Sequence, residues 1–435
     1  MKIVSHLNAT YIACTESLHR TFVRNFWYGS YIRGYADYAA LTPLDPRNSS
    51  LRALISGHSL RNIWANPGSL HTQGVYARRA LAEQRSVCAE LLRAHADEII
   101  FTGSGTEANN LAIMGYIEAL IDTGMKYADM HIIVSSIEHQ SVLACIEELE
   151  KRGVKVTHIS VEHGKFDFEA FDKALKDNKN TVLVSCMMVN NEVGIRLPIE
   201  DIVKKVRHYN SENNTGGNNK VPAPRCRIHT DACQAVVHEQ ISLEKLGVDF
   251  LVLDSHKIYG PRGVGILFAR RGAELKSVIY GGGQENGRRS GTENLFGIHG
   301  AVAALKRINE IRTYETVRIS KLQNYFENKV KQSKILGEKF KCIGVDVRRS
   351  PHISSLLVPE GVDAEMLVLR LDAAHCAIST KSACLRDEDE SYVLANLGFK
   401  GRHALRFSWG RYTTKGDIQR TVAELERIVK SFVQE

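Results

Sequence analysis

The sequence predicts an α/β fold: a mostly parallel sheet covered by helices, followed by a smaller α+β domain. Two observations point there. Short apolar runs rich in Ile and Val alternate with longer amphipathic stretches over about 200 residues, the rhythm of strand–helix units. Several runs are apolar without interruption, as strands buried on both faces must be.

The strand candidates, in order, are 98–103 (EIIFTG), 131–136 (HIIVSS), 155–160 (KVTHIS), 181–189 (TVLVSCMMV), 225–231 (RCRIHTD), 249–255 (DFLVLDS) and 265–270 (GILFAR). Between them, 106–121 reads as a helix. So does 198–210, where Pro198 suits a first helical position and Ile199, Ile202, Val203 and Val206 share one face. Residues 211–224, SENNTGGNNKVPAP, are polar and punctuated by Asn, Gly and Pro, and read as a surface insertion loop. A long helical pattern covers 293–334. Strands are expected at 352–358 (HISSLLV) and 404–410 (ALRFSWG). The division that follows is an N-terminal extension (1–30), a segment packing with the small domain (31–50), a large domain (51–340) and a small C-terminal domain (341–435).

Composition narrows the function classes. The 435 residues are 43% hydrophobic and 24% charged, as in ordinary globular proteins. No apolar run reaches the ~18 residues that span a bilayer, so no membrane role is expected. The net charge of +8 is spread through stretches such as RRALAEQR (78–85), which read as solvated helix faces and give no case for nucleic-acid binding. Nine cysteines without a C-x-x-C pair or metal-like spacing read as free thiols in a reducing, cytoplasmic setting. The first 30 residues carry Lys2, Arg20 and Arg24 against Glu16 and lack the compact apolar core of a signal peptide; organellar targeting stays open.

The chemistry concentrates at strand ends. In DSHKIYGPRGVG (254–265), Lys257 follows the carboxyl end of a strand, the edge where open α/β sheets bind ligands. A lysine there with a lowered pKa can form a Schiff base with an aldehyde cofactor. FTGSGTEANN (101–110) is strand, small-residue turn and helix start, so the N–H groups of Gly105 and Thr106 can face a phosphate. HTDACQ (229–234) ends a strand at Asp231, whose carboxylate can keep a pyridine nitrogen protonated. SSIEHQS (135–141) presents His139, and VNNEVG (189–194) presents Asn191. Each motif alone is weak: an H-K pair in a loop is ordinarily a surface lysine, and a strand-end Asp ordinarily a cap.

Together the pieces resemble the NifS-like cysteine desulfurases, a branch of the class-V, fold-type I pyridoxal-phosphate enzymes. The resemblance runs from YADYAALTPLDPR (35–47) to ALRFSWGRYTT (404–414) and takes in NPGSLHTQG (66–74), GGGQENGRRSGTEN (281–294) and STKSAC (379–384). It implies that Lys257 carries pyridoxal 5'-phosphate, that His139 stacks on its ring and shuttles protons, and that Asp231 meets the ring nitrogen. Gln234 and Asn191 would meet the ring oxygen. Gly105, Thr106, Ser255 and His256 would hold the phosphate. Thr292 would reach the neighbouring subunit's phosphate, which implies a homodimer. Arg406, with Asn191, would hold the carboxylate of the substrate, L-cysteine. Cys384 would take its sulfur as a persulfide, leaving alanine, for delivery to an iron–sulfur scaffold or a tRNA-thiolation enzyme. Lys381 is placed to lower the Cys384 pKa, and Cys376 reads as structural.

Two departures stand out. Asp254 occupies a position near the phosphate where the family has a small neutral residue, so either it points away or cofactor affinity is reduced. Lys381 replaces a common Gly. Selenocysteine lyase uses the same machinery and is the nearest alternative; a class-V aminotransferase would not need Cys384, and a non-catalytic scaffold relative is the reading from another class.

Overall fold

The computed structural model describes residues 2–28, 32–46, 64–213, 225–380 and 390–434. Its centre is a seven-stranded sheet in the order β1-β7-β6-β5-β4-β2-β3. The strands are β1 (Ile99–Thr102), β2 (His131–Ser135), β3 (Lys155–Ile159), β4 (Thr181–Ser185), β5 (Arg227–Asp231), β6 (Phe250–Asp254) and β7 (Gly265–Ala269). Neighbours from β3 through β6 pair in parallel, whereas β7 runs antiparallel to both β6 and β1. Six strands therefore share one direction, and their carboxyl ends share one edge. Every residue of β4, β6 and β7 is buried, which accounts for their unbroken apolar runs.

The helices packed on this sheet begin at that edge. They are α2 (Thr72–Leu92), α3 (Gly105–Asp122), α4 (Gln140–Lys151), α5 (Phe168–Asp177) and α6 (Ile199–Asn213), with α1 (Lys2–Phe22) preceding them. Ser104 caps α3 by accepting from Glu107 N–H, His139 caps α4 by accepting from Ser141 N–H, and Asp167 caps α5 through Ala170 N–H. In α6 the predicted face, Ile199, Ile202, Val203 and Val206, is buried. The polar run 211–224 begins as the last turn of α6; its remainder, 214–224, lies outside the described residues.

A second, antiparallel sheet of order β10-β9-β8 comprises β8 (Lys341–Cys342), β9 (Ile353–Leu357) and β10 (Ala404–Ser408). It carries α8 (Ala364–Ala373) and α9 (Lys415–Gln434). The segment after α1 joins this sheet, with Tyr35 bridging Ala377 and Asp37 bridging Ser408. Between the sheets runs α7 (Leu295–Gln332). Its first half, from Leu295 to Ile308, belongs to the core of the large sheet. Its second half places Ile319, Phe326 and Val330 in the core of the small one.

One feature departs from the sequence reading. The run 181–189 stops being a strand at Ser185, because Cys186 to Val189 are buried as a loop at the sheet's carboxyl edge. The N-terminal extension is an α-helix docked on α7: Arg20 pairs with Glu315 at 3.0 Å and with the Tyr314 hydroxyl at 2.8 Å, and Arg307 pairs with the buried Glu16.

Candidate active site

The carboxyl edge of the large sheet encloses a cavity of about 220 Å³. Every element facing it contributes. The β1–α3 turn brings Gly105, Thr106 and Asn109; the β2–α4 turn, His139 and Ser141; the loop after β4, Met187 and Asn191. The end of β5 adds Asp231, Cys233 and Gln234, the end of β6 adds Asp254, His256 and Lys257, and the small sheet adds Arg406 across the opening. Ala39 and Ala40 of the N-terminal segment complete the wall.

Lys257 Nζ donates to the carbonyls of Ala39 and Ala40, both at 2.7 Å. Burial holds its pKa below the ordinary lysine range, and the Arg406 charge adds to the effect. Its backbone sits in a single turn after β6, so the side chain is delivered by a rigid strand end.

Asp231 is held from two sides. Asn109 Nδ2 donates to Oδ2 and Cys233 N–H to Oδ1, each at 2.9 Å. Asn109 is itself fixed: its Oδ1 accepts from His229 Nε2 at 3.0 Å, and Ser185 Oγ reaches His229 Nδ1 at 2.8 Å. Burial lowers His229 to about 4, so the ring is neutral and the chain of bonds has one polarity. Asn109 Nδ2 also meets Ser141 Oγ, which lies 2.8 Å from His139 Nδ1. Since His139 Nδ1 accepts from Ser141 N–H, the ring nitrogen left to carry a proton is Nε2.

Gln234 Nε2 donates to Ala39 O at 2.8 Å, and Oε1 accepts from His352 Nε2 at 3.0 Å. Burial keeps His352 well below its ordinary pKa and so neutral. Arg406 is 2% exposed. It bonds Asp37 Oδ1 at 2.7 Å and Asn191 O at 3.0 Å, while its Nε has no hydrogen-bond partner among the described residues.

Two expectations at the phosphate end, for the Gly105 and His256 donors and for Ser255, need correction. Asp254 does not point away: Oδ2 accepts from Gly105 N–H at 2.7 Å, and Oδ1 lies 2.5 Å from His256 Nδ1. Gly105 and His256, both read as phosphate donors, are thus bonded to a carboxylate. Ser255 is fully buried, lies outside the cavity lining and sits beneath the Gly260 turn. β6 ends at Asp254, which takes the cavity side, and Ser255 opens the turn that follows. Thr292, expected to reach the neighbouring subunit's phosphate, is exposed and lies outside this cavity, in a hollow with Gly103, Arg289 and Asn294. Cys384 and Lys381 lie outside the described residues. Cys376 is buried in the small-sheet core, and the eight described cysteines are all free thiols.

Residues 35–421 match the family model described as Aminotransferase class-V. The chain belongs to the class-V aminotransferase family. Among its relatives, the cysteine desulfurase IscS of Dictyoglomus turgidum is 37% identical over 401 residues, 91% of this chain and 94% of that protein. Cysteine desulfurase IscS 1 of Archaeoglobus fulgidus is 33% identical, over 91% of this chain and 97% of that one. Of solved structures, a NifS-like protein superposes with a TM-score of 0.79 at 30% identity, over 92% of this chain and 100% of that one. SspA in complex with cysteine superposes at 0.70 and 28% identity, over 88% of this chain and 100% of that one. The fold is thus the fold-type I, class-V architecture that the motifs implied, in its IscS/NifS-like branch.

In this class-V chain the motif residues Lys257, His139, Asp231, Gln234, Asn191, Thr106 and Arg406 do line one cavity. Sequence reading missed Asn109, Ser141, Met187 and Cys233. Asn109 had a signal, since it lies one helical turn beyond Thr106 and so on the same face.

Proposed function

We propose that this protein is a pyridoxal-phosphate-dependent cysteine desulfurase, a sulfurtransferase that converts L-cysteine to L-alanine and passes the sulfur to Cys384. The observation carrying this reading is the convergence on one cavity of a lysine with a depressed pKa, a fixed carboxylate, a histidine and a buried arginine, from four separate elements. The ring end suits the coenzyme: Lys257 would bond its aldehyde, Asp231 would pair with its ring nitrogen, and His139 would cover its face. When bound, pyridoxal phosphate supplies an electron sink conjugated to the amino acid's α-carbon.

The chain's own residues do the rest. Arg406 would hold the substrate carboxylate, with its unpartnered Nε as one donor. Lys257, whose burial favours the neutral amine, takes the α-proton on Nζ and returns it. His139 holds a proton on Nε2 that can move to or from the substrate. Cys384 as a thiolate attacks the substrate sulfur: the carbon–sulfur bond breaks, a sulfur–sulfur bond forms, and the products are alanine and a Cys384 persulfide, with atoms and electrons in balance. Delivery of that sulfur to an iron–sulfur scaffold or a tRNA-thiolation enzyme, a homodimeric assembly and a cytoplasmic setting belong to the same proposal.

The test is to incubate purified protein with the coenzyme, L-cysteine and a reductant, then measure alanine and sulfide. Equal yields are expected, with both lost in Lys257→Ala and in Cys384→Ser. Full turnover by Cys384→Ser would refute the sulfur-transfer role and favour another class-V reaction.

A further inference from the structure

We propose that Asp254 is a built-in occupant of the coenzyme's phosphate subsite, so that the protein holds pyridoxal phosphate loosely and discriminates little between it and unphosphorylated pyridoxal. This deepens the function proposed above and rests on it.

The geometry is specific. A helix N-terminus favours one anion, because its first N–H groups lack intrahelical partners and the helix dipole adds positive potential there. Among the helices opening on this cavity, α3 starts at Gly105, and Asp254 Oδ2 already accepts from that residue's N–H at 2.7 Å. A Cβ on Gly105 would stand 3.0 Å from the same oxygen, so the glycine is what permits the approach. The carboxylate is 5% exposed. Its other oxygen accepts from His256 N–H at 3.1 Å and lies 2.5 Å from His256 Nδ1. Burial works against the charged form of Asp254, but the His256 ring and the N–H groups of Gly105 and His256 hold its carboxyl below the ordinary range.

Two donors that a phosphate would use, the Gly105 amide and the His256 ring, are therefore bonded to a fixed negative group. The contact with His256 does not release the donors. A phosphate entering the subsite must displace Asp254 from both or lie beside it, and like charges placed together are costly. The ring end is not affected: Lys257, Asp231 and His139 keep the arrangement already described, so an aldehyde without a phosphate meets the same lysine.

The experiment is a binding titration with the coenzyme-stripped full-length protein, following the visible absorbance of the Lys257 adduct with pyridoxal phosphate and, separately, with pyridoxal. In the wild type the two affinities are expected to be close. Asp254→Ser should tighten pyridoxal phosphate by about tenfold or more and leave pyridoxal within about twofold, widening their ratio. Asp254→Asn keeps the shape and an acceptor for Gly105 N–H, and removes the charge; it should move the ratio the same way and guards against a fold lost in the serine variant, which a melting curve would reveal. Unchanged or weakened pyridoxal phosphate binding in both folded variants overturns the role of Asp254 while leaving the function standing. Absence of any Lys257 adduct with either aldehyde overturns the function and this inference together.

Discussion

Asn109 shows how much of the site depends on one neutral side chain. It joins Asp231, Ser141 and the buried His229 in a single set of bonds. Its removal strands a carboxylate oxygen and a histidine N–H away from water, which costs on the order of 1–3 kcal/mol. Asn109→Ala should therefore lower the melting temperature and weaken coenzyme binding together; loss of binding with unchanged stability would show that Asp231 does not need it. Lys257 carries a second prediction. Only a neutral amine attacks an aldehyde, and burial lowers this one's pKa. Its rate of reaction with pyridoxal should therefore plateau at a lower pH than that of a free lysine, and a midpoint in the ordinary lysine range would contradict the burial seen here. A base whose folded pKa is depressed binds protons better when unfolded, so Lys257 favours the fold increasingly as pH rises through that window. Lys257, Asp231 and His139 were legible in the sequence because each ends an apolar run. Ser255 misled because the motif gives its neighbourhood while the turn after β6 gives its direction. Asn109 could be reached through its helical spacing from Thr106, whereas Cys233 depends on which face of a turn meets the cavity, and only packing decides that.

At the scale of elements, one edge of the large sheet is closed by an ion pair. β1 is an edge strand, with β7 on one side only. On the other side Arg85 donates to Ile99 O at 2.7 Å, and Glu285 accepts from Phe101 N–H at 3.0 Å. The two side chains meet in a bidentate pair, both bonds at 2.6 Å. The segment 281–294 is thereby tied to the strand, and the open backbone groups that invite pairing with another chain are covered. Glu285→Ala would leave the Arg85 charge and a strand N–H unpaired. A loss of about 3–5 kcal/mol is expected for a buried pair broken on one side; a chemical-denaturation shift under about 1 kcal/mol would mean that water replaces the carboxylate. The strands themselves were readable, since burial on both faces writes itself into an apolar run. The docking of α1 was not: its partners Glu315 and Arg307 lie some 290 residues away in sequence, and nothing in residues 1–30 names them.

For the whole molecule, acid is the sharpest challenge. Burial lowers His131 and His229 to about 4 and His238 to about 3, and it places His352 well below its ordinary value. Each stays neutral when folded and takes up a proton when unfolded once the pH falls below ~6.5. Each therefore costs stability on acidification; for His229 and His238 the cost is of order 2–3 kcal/mol by pH 4.5. Glu138 acts oppositely, because burial raises it to about 8 and its protonated form is favoured in the fold. One such group does not offset four histidines, so the denaturation midpoint should fall steadily between pH 6.5 and 4.5. A flat profile across that range would show that the histidines are reached by water.

The helix α7 has a mechanical corollary. At ~1.5 Å per residue its 38 residues make a rod nearly 60 Å long, and Phe326 on its far half wedges against Phe407 and Trp409 at ring distances of 4.7 and 4.9 Å. Neither sheet can melt without exposing a face of the same rod. Heating should accordingly give one cooperative calorimetric peak, and Phe326→Ala, at a cost of about 3–5 kcal/mol, should slide that whole peak downward; a split into two peaks would mean that the lobes unfold independently.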